Sequence, residues 1–297
     1  MRRVEGAAVC LLAGVMAGAV AARAEWTAER VAVVEGFQTP ESVAVDPESG
    51  TAYVSNVVTA DSAGQGPWDE DGRGFISRLK PGGQLDVLQW REKTRRGLRA
   101  GTLNAPKGMC IIPGQLRVAD INRMVYFDMI RDRPGIVTPI RRAQRLNDMT
   151  TDGKAVYLSD TGAGVIHRLA PGEHCLLRAP PAVNGVTWFQ GKLYAVSWSE
   201  HDVYELDPLG KTEPRAFGLA SHFTALDGIE VLDEETILVS DFSGNKVSAI
   251  GLKEEKTVAT LLETTTPADV GLDRQRMLLY VPLFTADQVE VYRLEKK

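Results

Sequence analysis

Acidic and amide side chains stand at the start of several apolar segments of this chain, where they could bind a cation. Glu41, Asn147, Asn184 and Asp227 each occupy such a place. Calcium accepts about six to eight oxygen ligands in irregular geometry, so three or four protein ligands would leave room for water and a substrate oxygen. Zinc is less suitable, because the set contains no His or Cys. The residue types therefore predict an open divalent-cation site, with calcium favoured and magnesium or manganese as alternatives.

Lys107 occupies an equivalent place and complicates this prediction. Its ammonium could pair with Glu41 or Asp148 and so replace a metal ion. It could equally bind an anionic substrate or stabilise an oxyanion. Two further interpretations stay open at this point: a calcium ion that only ties the fold together, and a network of polar groups that satisfy one another without an ion.

A repeated pattern of strands explains why these residues should meet. Each copy has an apolar strand, a polar or glycine-containing turn, and a second strand that ends near Asp, Asn or Ser. Two more strand-like pieces follow. The equivalent positions lie 66, 40, 37, 43 and 41 residues apart, and they are Glu41, Lys107, Asn147, Asn184, Asp227 and Ala268. Repeats of roughly 40 residues built from four short strands are typical of propeller blades.

The pattern therefore predicts an all-β fold, a six-bladed β-propeller with four-stranded blades. The long first step holds two insertions, around residues 57–74 and 90–102. The C-terminal segment "DQVEVYRL" and the N-terminal segment "ERVAVVEGF" would complete the same last blade and close the ring. The first strand of each propeller blade lines the central channel, so the six equivalent positions should surround one mouth of it. A sandwich of six hairpins is the alternative, which the regular spacing disfavours.

Composition limits the classes of partner. The 297 residues carry 34 basic and 39 acidic side chains, which argues against nucleic-acid binding. Residues 1–24 join a basic start, an apolar run and small residues, the pattern of a secretory signal peptide. We therefore predict an exported protein, periplasmic or secreted, with one propeller domain over residues 25–297. No later apolar run approaches the length of a membrane span. The sequence does not predict the oligomeric state.

Short motifs resemble those of the SMP-30/gluconolactonase/luciferin-regenerating-enzyme-like family of six-bladed propellers. "RLND" at residues 145–148 resembles the family's R-x-N-D, and "NGVTW" at residues 184–188 resembles its N-G-hydrophobic-x-W. "LDGI" at residues 226–229 is similar to its P-D-G-hydrophobic motif, with Leu226 in place of proline. Glu41 stands where the family has its first-blade Glu, although Ser42-Val43 replaces the usual Gly-Pro. The motifs follow the family's order, one in each blade.

The resemblance implies a function and a set of roles. Glu41, Asn184 and Asp227 would be metal ligands, Asn147 would lie beside the metal near the substrate, and Arg145 would contact substrate. Family members hydrolyse lactones, often sugar lactones. The metal would polarise the lactone carbonyl, and Asp227 or Asp148 would accept a proton from the attacking water. A metal-bound carboxylate is a poor base, which favours Asp148, whereas the resemblance favours Asp227.

Other functions remain open on this scaffold. The protein could be a non-catalytic propeller that binds a ligand or another protein, or an enzyme with different chemistry, such as a lyase. Lys107 disfavours the lactonase hypothesis, and the ordered set of family motifs disfavours the binding module. In the leading hypothesis the partner is a small molecule, lactone-like or sugar-acid-like.

Two groups of residues near the ends of second strands have more modest predicted roles. Trp198 could stack on a sugar face or simply pack at the rim. Four polar residues are predicted to cap turns through hydrogen bonds to the backbone rather than to contact a ligand, namely Asn56, Asp120, Asp160 and Asp241.

Overall fold

The fold is a ring of six sheets, as the sequence predicts. The computed structural model describes residues 25–59, 66–97 and 99–297, and the predicted signal peptide, residues 1–24, lies outside them. Each sheet contains four consecutively paired antiparallel strands, the blade of a β-propeller. In the part of the chain that the structure describes, the one helix is the 3₁₀ turn Ala220–His222, and no helix there could cross a membrane.

The first three blades follow the N-terminal strand β1, Trp26–Glu35. Blade 1 consists of β2 Pro40–Val45, β3 Ala52–Asn56, β4 Phe75–Leu79 and β5 Leu85–Arg91. The second insertion forms the hairpin of β6 Lys93–Arg96 and β7 Arg99–Thr102. Blade 2 consists of β8 Pro106–Ile112, β9 Gln115–Asp120, β10 Arg123–Asp128 and β11 Gly135–Pro139. The hairpin extends blade 2 to six strands, because β6 pairs in parallel with β11. Blade 3 consists of β12 Leu146–Thr151, β13 Val156–Asp160, β14 Val165–Ala170 and β15 Glu173–Arg178.

The last three blades follow the same order from the axis outward. Blade 4 consists of β16 Val183–Phe189, β17 Lys192–Ser197, β18 Val203–Leu206 and β19 Arg215–Ala216. Blade 5 consists of β20 Leu226–Asp233, β21 Thr236–Asp241, β22 Lys246–Gly251 and β23 Thr257–Glu263. Blade 6 consists of β24 Gly271–Asp273, β25 Leu278–Leu283, β26 Gln288–Lys296 and the N-terminal strand β1.

The apolar core lies between the blades. The second strands β3, β13, β21 and β25 are buried along their whole length, since both faces of each sheet pack on neighbouring blades. Six apolar clusters result, each shared by two adjacent blades. Tyr280 of blade 6 and Leu79 of blade 1, for example, belong to one cluster. Each blade is therefore stabilised on both sides by its neighbours.

The ring closes where the sequence predicts. Strand β1 pairs with β26 from Trp26 opposite Lys296 to Glu35 opposite Gln288. Trp26, Val34 and Phe37 are buried at this seam. The N-terminal segment therefore supplies the outer strand of blade 6, and this pairing removes the free edge that β26 would otherwise expose.

Candidate active site at the axial mouth

The inner strands are irregular at the positions that the sequence alignment singled out. In five blades the pairing between the first and second strands shifts register there, between Pro40 and Ser42, Pro106 and Met109, Leu146 and Met149, Val183 and Val186, and Leu226 and Ile229. Such bulges leave residues unpaired and re-aim their side chains. The residues released from the ladder include all five polar residues of the predicted ring.

We call these five residues the axial ring: Glu41, Lys107, Asn147, Asn184 and Asp227. All five are buried. Lys107 Nζ lies 3.5 Å from Glu41 Oε1. The side chain of Asn184 lies close enough to Asp227 to stabilise its carboxylate, and the charges of Glu41 and Lys107 also act on this carboxyl group. The structure thus brings together Glu41, Lys107, Asn184 and Asp227, which lie up to 186 positions apart in the chain.

The residues just after the ring positions explain the glycines of the sequence motifs. A Cβ on Gly185 would lie 2.5 Å from the carbonyl oxygen of Asp227, and one on Gly228 would lie 2.5 Å from Asp269 Oδ1. Real Cβ atoms do not approach other atoms so closely. The inner strands of adjacent blades are packed at van der Waals distance here and leave no room for a side chain. The glycines of the N-G and D-G pairs are therefore required by close contact between blades.

Where the residue after the ring position is not glycine, its side chain forms a hydrogen bond to an adjacent blade. The Asp148 carboxylate accepts hydrogen bonds from the backbone amides of Met149 at 2.6 Å and of Val186 at 2.7 Å, and so ties blade 3 to blade 4. Asp269 accepts a hydrogen bond of 2.6 Å from the Ser42 hydroxyl, which ties blade 6 to blade 1. Both carboxyl groups line a cavity of about 140 Å³ in the channel, which Glu230 also lines.

Buried acids outnumber buried cations around the axis. Burial, with a further contribution from Glu41, raises the pKa of Asp227 to about 8. Burial also raises the pKa of Glu41, against the attraction of Lys107. The pKa values of Asp148 and Asp269 are raised well above the ordinary value, chiefly by burial. Among the described residues, four buried carboxyl groups thus lie around the axis with one buried ammonium, that of Lys107, so the site favours uptake of protons or of a further cation.

One oxygen atom points to a cation in particular. Glu41 Oε2 is buried and has no hydrogen-bond partner, whereas Oε1 of the same carboxylate faces Lys107. An unpaired buried carboxylate oxygen is costly. Among the described residues, no three His, Cys, Asp or Glu side chains form a metal-binding group by themselves. A cation would therefore also need an amide oxygen such as that of Asn184, and this donor set fits a hard ion of the calcium class.

Apolar side chains form a second tier around the mouth. The sequence does not predict that these residues lie together. Strand pairing aligns the residues that directly follow the second strands. We call the apolar ones the apolar collar: Val57, Ile121, Trp198, Phe242 and Phe284. Ring centroids are 5.4 Å apart for Trp198 and Phe242 and 5.6 Å apart for Phe242 and Phe284. Phe284 packs against Val57 and Ile121. Comparing the residue after each second strand would have found this collar.

The first insertion reaches the same mouth. Lys107 Nζ lies 4.6 Å from the centroid of the Trp68 ring and 5.8 Å from that of Phe284. A hydrogen bond from Asn122 to Glu70 attaches the insertion to blade 2, and one from Arg73 to the carbonyl of Val58 joins its two ends. The ammonium of Lys107 is therefore held between an acid of the axial ring and two aromatic faces.

Two other predicted site residues lie on blade 3. Asn147 is buried in the axial ring, whereas Arg145 is exposed at the entry to β12. The Arg145 backbone is fixed on both sides, since its amide donates to Asp160 and its carbonyl accepts from the amide of Thr161. Its side chain lies over Gly162 and stays accessible to a ligand at the rim.

The predicted turn caps are confirmed. Asn56 accepts the amide of Gln38, Asp120 those of Asn104 and Ala105, Asp160 those of Gln144 and Arg145, and Asp241 those of Thr224 and Ala225. Each cap fixes the loop that leads into the first strand of its own blade. These side chains thus help to position the axial ring through the loops that precede the first strands, and they are not part of the ring.

No family model matches the sequence, and no curated protein matches it. Solved structures do match, over almost the whole chain. A luciferin-regenerating enzyme is 16% identical with a TM-score of 0.62, over 89% of this chain and 94% of that one. A protein provisionally assigned as a gluconolactonase is 17% identical with a TM-score of 0.63, over 92% and 93%. Virginiamycin B lyase from Staphylococcus aureus is 12% identical with a TM-score of 0.62, over 90% and 99%. These likenesses confirm the resemblance in fold: the chain has the propeller architecture of these proteins.

Proposed function

We propose that the protein is an exported hydrolase of lactone-like esters that depends on a divalent cation, most favourably calcium. The observation that carries the proposal is the unpartnered, buried Glu41 Oε2 beside Asp227 and Asn184. Support also comes from two structural neighbours, a luciferin-regenerating enzyme and a protein provisionally assigned as a gluconolactonase. Their low identity makes the lactone substrate part of the proposal, as is export through residues 1–24.

The axial ring supplies the proposed binding groups. Glu41, Asn184 and Asp227, with Asn147 beside them, would hold the cation, which when bound would polarise an ester carbonyl. The Lys107 ammonium would stabilise negative charge on the carbonyl oxygen. It is buried in the axial ring, and Glu41 and the Trp68 ring hold it in place. The exposed Arg145 would contact the part of the substrate that lies at the rim.

Asp227 is the proposed proton acceptor for the attacking water. Asp148, the other candidate, already accepts two backbone hydrogen bonds and bridges blades 3 and 4. A carboxylate engaged in this way is less available to take a proton from water. The Asp227 carboxyl lies beside the Asn184 side chain and has a raised pKa, which brings its basicity closer to neutral pH.

The second candidate function is a non-catalytic ligand-binding propeller, and one observation favours it. The ion pair between Lys107 and Glu41 already places a cation inside the axial ring. In that case Lys107 would replace the metal, and the protein would bind an anionic ligand without hydrolysing it.

A lactone panel with matched variants tests the proposal. The wild type should hydrolyse at least one lactone, lose the activity with a chelator, and regain it with calcium. Asp227→Asn should reduce kcat by about a hundredfold or more, because both a ligand and the base are lost. Glu230→Gln is the control, because it removes a carboxylate from the same channel about 10 Å further along the inner strand. Equal activity in Asp227→Asn and Glu230→Gln would overturn the assignment of Asp227.

A further inference from the structure

One side of the mouth presents a continuous aromatic surface. Trp198 keeps 36% of its surface exposed, and Phe242 and Phe284 are partly exposed. Their spacings of 5.4 and 5.6 Å are those of rings in direct contact. The three rings therefore form one edge across blades 4, 5 and 6. An exposed aromatic row beside a polar pocket is typical of a surface that a ligand covers.

The polar side chains that end the second strands beside these rings are already used by the backbone. Ser197 donates to the carbonyl of Pro181 at 2.6 Å and accepts the amide of Glu200. Asp241 accepts amides from Thr224, Ala225 and Gly244. Blade 6 contributes only the methyl group of Ala268 at its ring position. A substrate rich in hydroxyl groups would find few free partners here, and unpaired hydroxyl groups are costly to bury.

The neighbouring blade 3 is different. At the collar position blade 3 has Thr161, whose hydroxyl donates to the carbonyl of Val183. Arg145 is exposed next to it, and Asn147 lies below. At the level of the collar the mouth is therefore aromatic at blades 4 to 6 and polar at blade 3. A bound molecule with one apolar and one polar end would have a single favoured orientation.

We propose that the site selects lactones whose non-reacting part is a flat aryl or alkyl group over polyhydroxylated sugar lactones. This inference rests on the proposed function. The apolar body lies against Trp198, Phe242 and Phe284, and the ester carbonyl lies at the axial ring. Hydrolysis joins the water oxygen to the carbonyl carbon and breaks the ring C–O bond. The proton removed from water ends on the released phenolate or alkoxide oxygen.

Kinetics on three lactones test the selectivity. Dihydrocoumarin carries a fused aryl ring, δ-valerolactone is a bare ring, and glucono-1,5-lactone is polyhydroxylated. We expect kcat/KM to be at least tenfold higher for dihydrocoumarin than for gluconolactone. The ratio of kcat/KM for dihydrocoumarin over δ-valerolactone should fall about tenfold in Trp198→Ala and in Phe242→Ala, since each loses an aromatic stacking partner. Phe217→Ala removes an aromatic ring from the outer part of blade 4 and should keep the wild-type ratio.

A binding experiment separates this inference from the hydrolase proposal. The probe is 2-tetralone, the analogue of dihydrocoumarin without an ester bond, measured by calorimetry against cyclohexanone. If 2-tetralone binds and both collar variants weaken it about tenfold, the inference holds even if no lactone is hydrolysed. Trp198→Leu, which keeps apolar bulk, replaces Trp198→Ala if the latter does not fold. A preference for gluconolactone, no preference of the protein for 2-tetralone over cyclohexanone, or equal losses in Phe217→Ala, would overturn it.

Discussion

The axial ring and the seam between β1 and β26 bury carboxyl groups in opposite ways. Burial alone would raise the pKa of Glu290 at the seam, but hydrogen bonds from Tyr292, Thr264 and Arg30 lower it. In the ring, burial raises the pKa values of Glu41 and Asp227, and one oxygen of Glu41 has no partner. The charged form of the carboxyl is therefore stabilised at the seam and destabilised at the axis.

This difference indicates a division of labour between the two regions. The seam satisfies every acidic oxygen of Glu290, as expected of a part of the protein that keeps the ring closed. The axis holds more acidic groups than the single ring lysine, Lys107, can neutralise, as expected of a site that binds a cation or a substrate. Natural proteins tend to break the rules of polar satisfaction at functional sites and obey them elsewhere.

The largest effect should follow from removing the seam. Deleting residues 25–37 uncovers the edge of β26 and removes the buried side chains of Trp26, Val34 and Phe37. At about 1.5–3 kcal/mol for each side chain, the loss is on the order of the whole stability of a domain. We expect no cooperative thermal transition near that of the wild type. Deletion of the hairpin β6–β7 is the control and should cost much less, because it closes nothing. An unchanged melt after the N-terminal deletion would contradict the role of the seam.

A smaller effect should follow from removing the one lysine of the ring. Lys107→Met leaves Glu41 buried without its ion pair, which should destabilise the chelated protein by about 3 kcal/mol in denaturant unfolding. Because the variant also loses a repulsive neighbour of a bound cation, calcium should raise its melting temperature more than that of the wild type. Lys246→Met, which removes a more exposed ion pair with Asp241, is the control. A calcium response smaller than that of the wild type would show that Lys107 does not compete with the cation.

The seam carboxylate gives a pH-dependent prediction. The folded pKa of Glu290 lies below its unfolded value of about 4.3, so its stabilising contribution is present above that pH and disappears as the pH falls through the folded pKa. Glu290→Gln should cost about 1–2 kcal/mol at pH 7 and less near pH 3. Unfolding curves at both pH values check this expectation. A cost that stays constant between them would assign the effect to packing.

The smallest effect on stability is expected for Asp227→Asn, which should stabilise the protein, whereas the preceding changes destabilise it. The folded pKa of Asp227, about 8, exceeds its unfolded value, so the wild type loses stability as the pH rises between these values. Without a cation, Asp227→Asn should therefore be more stable at pH 8 by about 1 kcal/mol, or roughly 2–4 °C in melting temperature. Near pH 4 the two proteins should melt together. A variant that melts below the wild type at pH 8 would mean that the axial carboxylate is already satisfied.

The fold could be predicted from the sequence because each blade is specified by features within a short stretch of chain. Alternation of apolar residues, turn residues and a spacing near 40 residues are all visible in one chain, and even the closure by β1 could be inferred from the two ends. The convergence of Glu41, Lys107, Asn184 and Asp227 followed from the same alignment. The caps at Asn56, Asp120, Asp160 and Asp241 were predictable because they act within one blade.

The details that depend on contacts between blades were not predictable. The sequence does not reveal that Asp148 bonds to the Val186 amide of the next blade, or that Gly185 and Gly228 are required by neighbouring backbone. The apolar collar was also missed, since Trp198, Phe242 and Phe284 become one surface only when three blades are placed side by side.

The most direct test of the central claim is thermal unfolding of the chelated protein with and without calcium. If Glu41, Asn184 and Asp227 form an open cation site, calcium at about 100 times its Kd should stabilise the wild type by about 2.7 kcal/mol, or roughly 5–10 °C. Asp227→Asn should lose most of this shift, and Glu230→Gln should retain it. No shift with calcium, magnesium or manganese, or an equal shift in Asp227→Asn, would contradict the account.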